Sequence, residues 1–226
     1  MKKLFKVTAL LLIAGAMMMT GCKEPEDNDG LSGKWSRSVT YKELYNPFSV
    51  NGSTITFQKS DTKALEVEEN EIKWWHPTIA DIPFTGVKLN LSCNSKNPGY
   101  GLLFIDPKNA NHYYRFSLRN GNVLLEENNG SSKIDLIEDK GDGETYYFTD
   151  WNALINKEPE ENEAVFYTTQ DGSINLLVNN TLITTIDNPS IKSFYIATIG
   201  AIAHEDSTAN ATVTATYKFL KFQTSK

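Results

Sequence analysis

Two cysteines and three histidines are all that a chain of 226 residues offers to thiol or imidazole chemistry. The histidines, His76, His112 and His204, stand far apart, with neither H-x-H nor H-E-x-x-H spacing. A zinc site therefore has no support, and turn or surface roles account for them. Positive charge is also scarce, with 22 Lys and Arg against 28 Asp and Glu and no basic patch or Arg-rich run. That balance argues against a nucleic-acid partner. The apolar run Val7–Met19 is too short to span a bilayer comfortably. No G-x-S-x-G, P-loop or Rossmann fingerprint is present. No stretch carries a convincing helical period.

What is there begins with an export signal. Lys2, Lys3 and Lys6 precede the apolar run, which closes on Met19-Thr20-Gly21-Cys22. This ending resembles a bacterial lipobox, with Met19 standing where Leu is usual. Residues 1–21 read as a lipoprotein signal peptide, and Cys22 as the lipidated residue that anchors the mature chain without spanning the membrane. Loss of the three lysines leaves 19 basic residues, 22 less 3, against the same 28 acids, a net charge of −9. Residues 22–32 are acidic, carry a proline and read as a disordered tether. The tether also resembles the acidic export signal of some surface lipoproteins, and a plain spacer fits it equally. With Cys22 lipidated, Cys93 has no disulfide partner. Its alternation with Val87, Leu89 and Leu91 makes it a small buried hydrophobe.

Residues 33–226 are long enough for one domain with a real core. They are organised around Gly99–Leu125. Tyr100–Ile105 is apolar on both faces, as a strand inside a layered domain should be. His112–Leu118 alternates, with Tyr114, Phe116 and Leu118 one way and Tyr113, Arg115 and Ser117 the other. Asn120-Gly121 marks a tight hairpin, and Asn179-Asn180 marks another. Further strands are predicted over Ser53–Phe57, Ile72–Trp75, Thr85–Ser95, Glu163–Thr169, Ser173–Val178, Thr181–Thr185 and Thr212–Phe222. A strand over Ile191–Ile199 is expected to stop at Gly200, and Tyr41–Phe48 reads as irregular. About a dozen strands at this spacing predict an all-β, two-sheet antiparallel sandwich.

The order Tyr-Gly-Leu-Leu-Phe, Tyr-Tyr-Arg-Phe, Asn-Gly, a Trp at Trp151, Ile-Asn-Leu-Leu-Val-Asn-Asn-Thr-Leu-Ile and Ile-Gly resembles the concanavalin A-like lectin/glucanase jelly roll. The similarity runs from Gly99 to Phe222 and is closest to laminin-G-like and 3-keto-disaccharide-hydrolase-type members. It is a pattern of strands and turns, so it implies a jelly-roll fold and carries no catalytic signature.

Several residues are candidates for chemistry. Glu66, Glu68 and Glu71 have nearly the spacing of the E-x-D-x-x-E strand of jelly-roll glucanases, where one acid attacks while another protonates the leaving oxygen. The middle acid is Glu rather than Asp, and Glu69-Asn70-Glu71 also reads as a hairpin turn. Trp74 and Trp75 alternate on a strand end, one suited to the core and the other to stacking on a sugar ring. Tyr113 and Arg115 lie on a face that is either a glycan-binding concave surface or a solvated polar sheet. Asp139, Asp142 and Glu144, with two glycines, form a loop whose oxygens suit Ca²⁺ or simply an acidic surface. Tyr146, Tyr147 and Trp151 add aromatics nearby. The leading expectation is a membrane-anchored lipoprotein of the bacterial envelope, at the outer membrane or cell surface, that binds carbohydrate without cutting it. A glycoside-cleaving enzyme of the same fold and a protein-binding adhesin are the alternatives.

Overall fold

The computed structural model describes residues 34–36, 48–59, 72–77, 83–95, 99–137, 154–202 and 212–224, all within the unit Ser32–Lys226. The expectations for residues 1–33, for Glu66–Glu71, for Asp139, Asp142 and Glu144, and for Tyr146, Tyr147 and Trp151 lie outside them. No helix occurs among the described residues, and fourteen strands do. They are β1 Lys34–Ser36, β2 Phe48–Asn51, β3 Thr54–Lys59, β4 Ile72–Pro77, β5 Phe84–Cys93, β6 Gly99–Asp106 and β7 Asn109–Arg119. The chain continues with β8 Asn122–Asn128, β9 Lys133–Asp135, β10 Asn162–Thr168, β11 Ile174–Val178, β12 Thr181–Ile186, β13 Tyr195–Ile202 and β14 Val213–Thr224.

One sheet has eight strands in the order β12-β11-β10-β5-β14-β3-β2, with β1 paired to β14. The other has six, ordered β4-β13-β6-β7-β8-β9. The strand pairs are antiparallel, and distant strands such as β5 and β14, or β6 and β13, lie side by side. The fold is a two-sheet antiparallel jelly-roll sandwich.

Local chemistry explains the hairpins. At Asn120 and Gly121 φ is 48° and 76°, and at Asn179 and Asn180 it is 49° and 63°. Two successive positive φ values match the twist of flanking strands, and Asn and Gly tolerate that region best. Strand β2 escaped the sequence pattern because it is only four residues long. Its Phe48 packs on Phe57 at a 5.2 Å ring separation, and Gly52 (φ 58°) turns it into β3. Strand β13 also differs from expectation, since it begins at Tyr195 and runs through Gly200 to Ile202. Gly200 stays inside the strand because a Cβ there would lie 2.4 Å from the Phe57 ring. The glycine makes room for a neighbour instead of ending the element.

The core between the sheets is aromatic. Phe104 of β6 and Phe166 of β10 stack across it at 3.9 Å and 9°, with Phe194 edge-on to both. Phe84 and Phe194 exchange backbone hydrogen bonds of 2.9 and 2.8 Å, which join the edge of β5 to the segment leading into β13.

A buried hydroxyl bridges the two sheets across this core. The ladder between β13 and β6 shifts register after Ile199 opposite Gly101, resuming at Ile202 opposite Gly99. Tyr217, fully buried on β14 of the opposite sheet, donates its hydroxyl hydrogen to the Ile199 carbonyl and accepts from the Gly101 N–H at 3.3 Å. Gly101 is required here, because a Cβ would lie 2.0 Å from the Phe116 carbonyl oxygen on β7.

Two predictions follow from this core. Tyr217→Phe removes two buried hydrogen bonds to the backbone and should lower unfolding free energy by about 1–3 kcal/mol. Urea unfolding checks this, and an unchanged midpoint would remove the role assigned to the hydroxyl. The second concerns alkali. Burial pushes the Cys93 thiol from 9.0 up to about 12 and raises the Tyr217 phenol well above its ordinary value. Groups raised on folding favour the folded state fully below their unfolded values, and that advantage disappears as pH rises towards the folded ones. Stability should therefore decline between about pH 9 and about pH 12. Chemical denaturation across that window reads the slope, and a flat profile would contradict it.

Candidate functional site

Strand β7 divides its side chains between the two faces of the six-stranded sheet. Tyr114, Phe116 and Leu118 enter the core, so Tyr113, Arg115 and Ser117 occupy the outer face. Register extends that face across the sheet in three rows. Pro77, Ala197, Leu103, Arg115, Glu126 and Asp135 form one. Trp75, Ile199, Gly101, Ser117 and Leu124 form the second. Tyr195, Ile105, Tyr113, Asn128 and Lys133 form the third. Position 75 is thus in the row of Ser117, three strands away, or about 14 Å at ~4.8 Å per strand. Trp74 pairs with Ala201 beyond the irregularity in β13.

The face has two halves. On β13 and β6 it is apolar, with Leu103, Ala197 and Ile199 buried together and Ile105 and Tyr113 packed against them. On β7 and β8 it is polar. Arg115 Nη2 donates to Glu126 Oε2 at 2.8 Å, and the two side chains are only 2% and 3% exposed. Tyr113 is half-buried, and its hydroxyl accepts from Asn128 Nδ2 at 2.9 Å. Burial raises the Tyr113 phenol, which keeps it neutral and able to donate.

The face is therefore not the solvated polar sheet that alternation alone allows. Arg115, Ser117, Leu124 and Glu126 are all buried on it. Glu126 Oε1 and Ser117 Oγ are buried without a hydrogen-bond partner. Buried polar atoms of this kind are rare in native structures, because each carries a desolvation cost that nothing repays. The burial of the Arg–Glu pair was not legible in the sequence. Arg115 and Glu126 are eleven residues apart, and only the register of the Asn120-Gly121 hairpin brings them opposite each other.

A second polar cluster closes one end of the sandwich, built from residues whose partnership no sequence spacing signals. His112 Nε2 lies 2.8 Å from Glu127 Oε1, and His112 Nδ1 lies 3.4 Å from Asp106 Oδ2. Ser190 Oγ donates to Glu127 Oε1 at 2.7 Å and is 3.2 Å from His112 Nε2. Tyr114 OH is 3.0 Å from Ser190 Oγ and accepts from the Ile191 N–H at 3.2 Å. The Ser–His–Asp order resembles that of a nucleophile with its base. However, Glu127 Oε1 faces both the serine hydroxyl and Nε2, so Nε2 serves as a donor and not as the acceptor of a serine proton. The cluster fixes a loop; it does not activate an oxygen. His112 is thus a partly buried cross-link, more than the turn or surface histidine expected. Among the described residues no group of three or more His, Cys, Asp and Glu side chains is arranged to hold a metal ion. Cys93 is buried in the core, as its alternation predicts.

No protein-family model matches the chain, and no curated protein matches it in sequence. Solved structures do share its architecture. A native glycosidic hydrolase aligns with a TM-score of 0.51 at 9% identity, over 85% of this chain and 90% of its own. The carbohydrate binding module CBM66 from Bacillus subtilis aligns at 0.48 and 10% identity, over 84% and 95%. A family 7 alginate lyase, solved with its substrate, aligns at 0.49 and 12% identity, over 81% and 84%. At these identities the likeness is one of fold alone, and the glycosidic hydrolase agrees with the strand order above: the chain has a jelly-roll fold.

Proposed function

We propose that this protein binds a carbohydrate on the outer face of its six-stranded sheet without cleaving it, and that a lipid on Cys22 anchors it in a bacterial envelope membrane. The division of that face into an apolar and a polar half carries the first part. A sugar ring offers both kinds of surface, since its C–H face needs apolar or aromatic cover and its hydroxyls need donors and acceptors. The half-buried Ile105 and Tyr113 supply cover, and Trp74 or Trp75 on the adjacent edge strand is the expected stacking residue. The Tyr113 hydroxyl and the half-buried Asn128 supply polar contacts, and the buried Arg115–Glu126 pair holds β7 to β8 beside them. The fold shared with a glycosidic hydrolase agrees in direction.

Binding is favoured over cleavage because Glu126 is tied to Arg115. A glycosidase needs one carboxylate free to attack or activate water and another free to protonate the leaving oxygen. Protein adhesion has less support. The exposed large hydrophobics among the described residues, Ile134, Leu154 and Leu182, sit on β9, a loop and β12 instead of forming one strip.

A glycan array probed with the purified protein, with and without Ca²⁺, tests the reading. At least one glycan class should bind, and Trp75→Ala or Tyr113→Ala should weaken it about tenfold or more, the scale of a buried aromatic anchor. A blank array would contradict the proposal, and release of new reducing ends would contradict its non-catalytic part. Loss of binding without Ca²⁺, reproduced by Asp139→Asn/Asp142→Asn, would assign the ion to the loop of Asp139, Asp142 and Glu144.

The anchor rests on Lys2, Lys3 and Lys6, the apolar run and Thr20-Gly21-Cys22. Wild-type protein made in a Gram-negative host should enter the detergent phase on Triton X-114 partition, whereas Cys22→Ala should not carry the lipid and should stay aqueous. Equal partition of the two would remove the lipid.

A further inference from the structure

The turn between β6 and β7 and the segment leading into β13 border an open cavity of about 360 Å³ at the end of the sandwich. Its walls include Pro83, Pro107 and Ile191, rigid and apolar. Its polar lining separates into groups already engaged and groups still free. Asp106 Oδ1 accepts from the Lys108 N–H at 2.9 Å, and Oδ2 faces His112. The Ser190 hydroxyl donates to Glu127. Lys108 and Lys192 also line the cavity, both residues are exposed, and neither has an ion-pair partner among the described residues.

Within the lining, Lys108 and Lys192 stand against the one carboxylate of Asp106, whose two oxygens are already engaged. The two lysines are therefore the groups of the lining left to meet an anion. Ligand pockets run from about 300 to about 1,000 Å³, so this one sits at the small end and suits a terminal ring better than a chain. Its rim is preformed. Tyr114 holds the Ile191 N–H, while Ser190, Glu127 and His112 lock one another, so little ordering is left for binding to supply.

We infer that this cavity seats the carboxylate-bearing terminal sugar of an acidic glycan, with Lys108 and Lys192 pairing to the carboxylate and Pro107 and Ile191 covering the ring. The inference rests on the carbohydrate reading above and gives it a second, charge-selective subsite.

Isothermal titration of the purified protein with glucuronate, galacturonate and N-acetylneuraminate, beside glucose, galactose and inorganic phosphate, tests it. At least one acidic sugar should bind ten times more tightly than the neutral sugars and phosphate. That preference should vanish in Lys108→Gln/Lys192→Gln and return in Lys108→Arg/Lys192→Arg. Both lysines are exposed, so the variants should unfold at the wild-type midpoint, which circular dichroism checks. If the acidic sugars bind no better than the neutral ones, or the Gln variant binds them equally well, the inference is overturned while neutral-glycan binding on the sheet face still stands. Phosphate binding as tight as any acidic sugar would make the cavity a general anion site and also overturn it. If no saccharide of either kind binds here or on the array, the carbohydrate reading falls with it.

Discussion

The Tyr217 hydroxyl sets the geometry on which the outer face depends. It reaches across the core from β14 to the point where the β13–β6 ladder breaks, and it satisfies one backbone group on each strand. The break lets Gly200 lie against Phe57, and it shifts the pairing of β4 so that Trp75 meets Ile199 while Trp74 meets Ala201. A slip of one residue would exchange the two faces of a strand. Without the Tyr217 hydroxyl, two buried hydrogen bonds to the backbone would be lost, together about 1–3 kcal/mol. The composition of the outer face therefore follows from a bond made on the inner one.

Strand β7 joins the two candidate regions. Its odd-numbered residues Tyr113, Arg115 and Ser117 furnish the polar half of the outer face. Its even-numbered residues His112 and Tyr114 reach the end cluster that frames the cavity. Neighbouring residues thus serve different surfaces through the two-residue period of a strand. Strand β8 repeats the division, with Glu126 on the face and Glu127 in the end cluster. A ligand long enough to cover both regions would meet groups that the same hairpin holds rigid.

Much of this architecture was legible in the amino-acid order. Alternation along His112–Leu118 separates inward from outward residues, and Asn120-Gly121 and Asn179-Asn180 mark the hairpins. Cys93 follows the apolar positions of its strand into the core. Other features depend on contacts between residues distant in the chain. Gly200 looks like a strand end until the Phe57 ring is seen occupying the space of its missing side chain. Phe48–Asn51 is too short to display a period. Arg115 looks like a surface residue, because alternation identifies the face but cannot reveal that the face is buried. The end cluster draws on Asp106, His112, Glu127 and Ser190, which no local spacing connects.

Methyl-resolved NMR of the purified protein during titration with a bound glycan is the most direct measurement of where recognition occurs. Leu103, Leu124 and Ile199 report on the outer face of the six-stranded sheet, and Leu177 and Leu182 on the outer face of the eight-stranded one. Binding on the proposed face predicts saturable shifts for the first three methyl groups and none for the last two. Shifts confined to Leu177 and Leu182 would contradict it by moving recognition to the opposite sheet, and a titration that moves neither set would remove the sheet faces altogether.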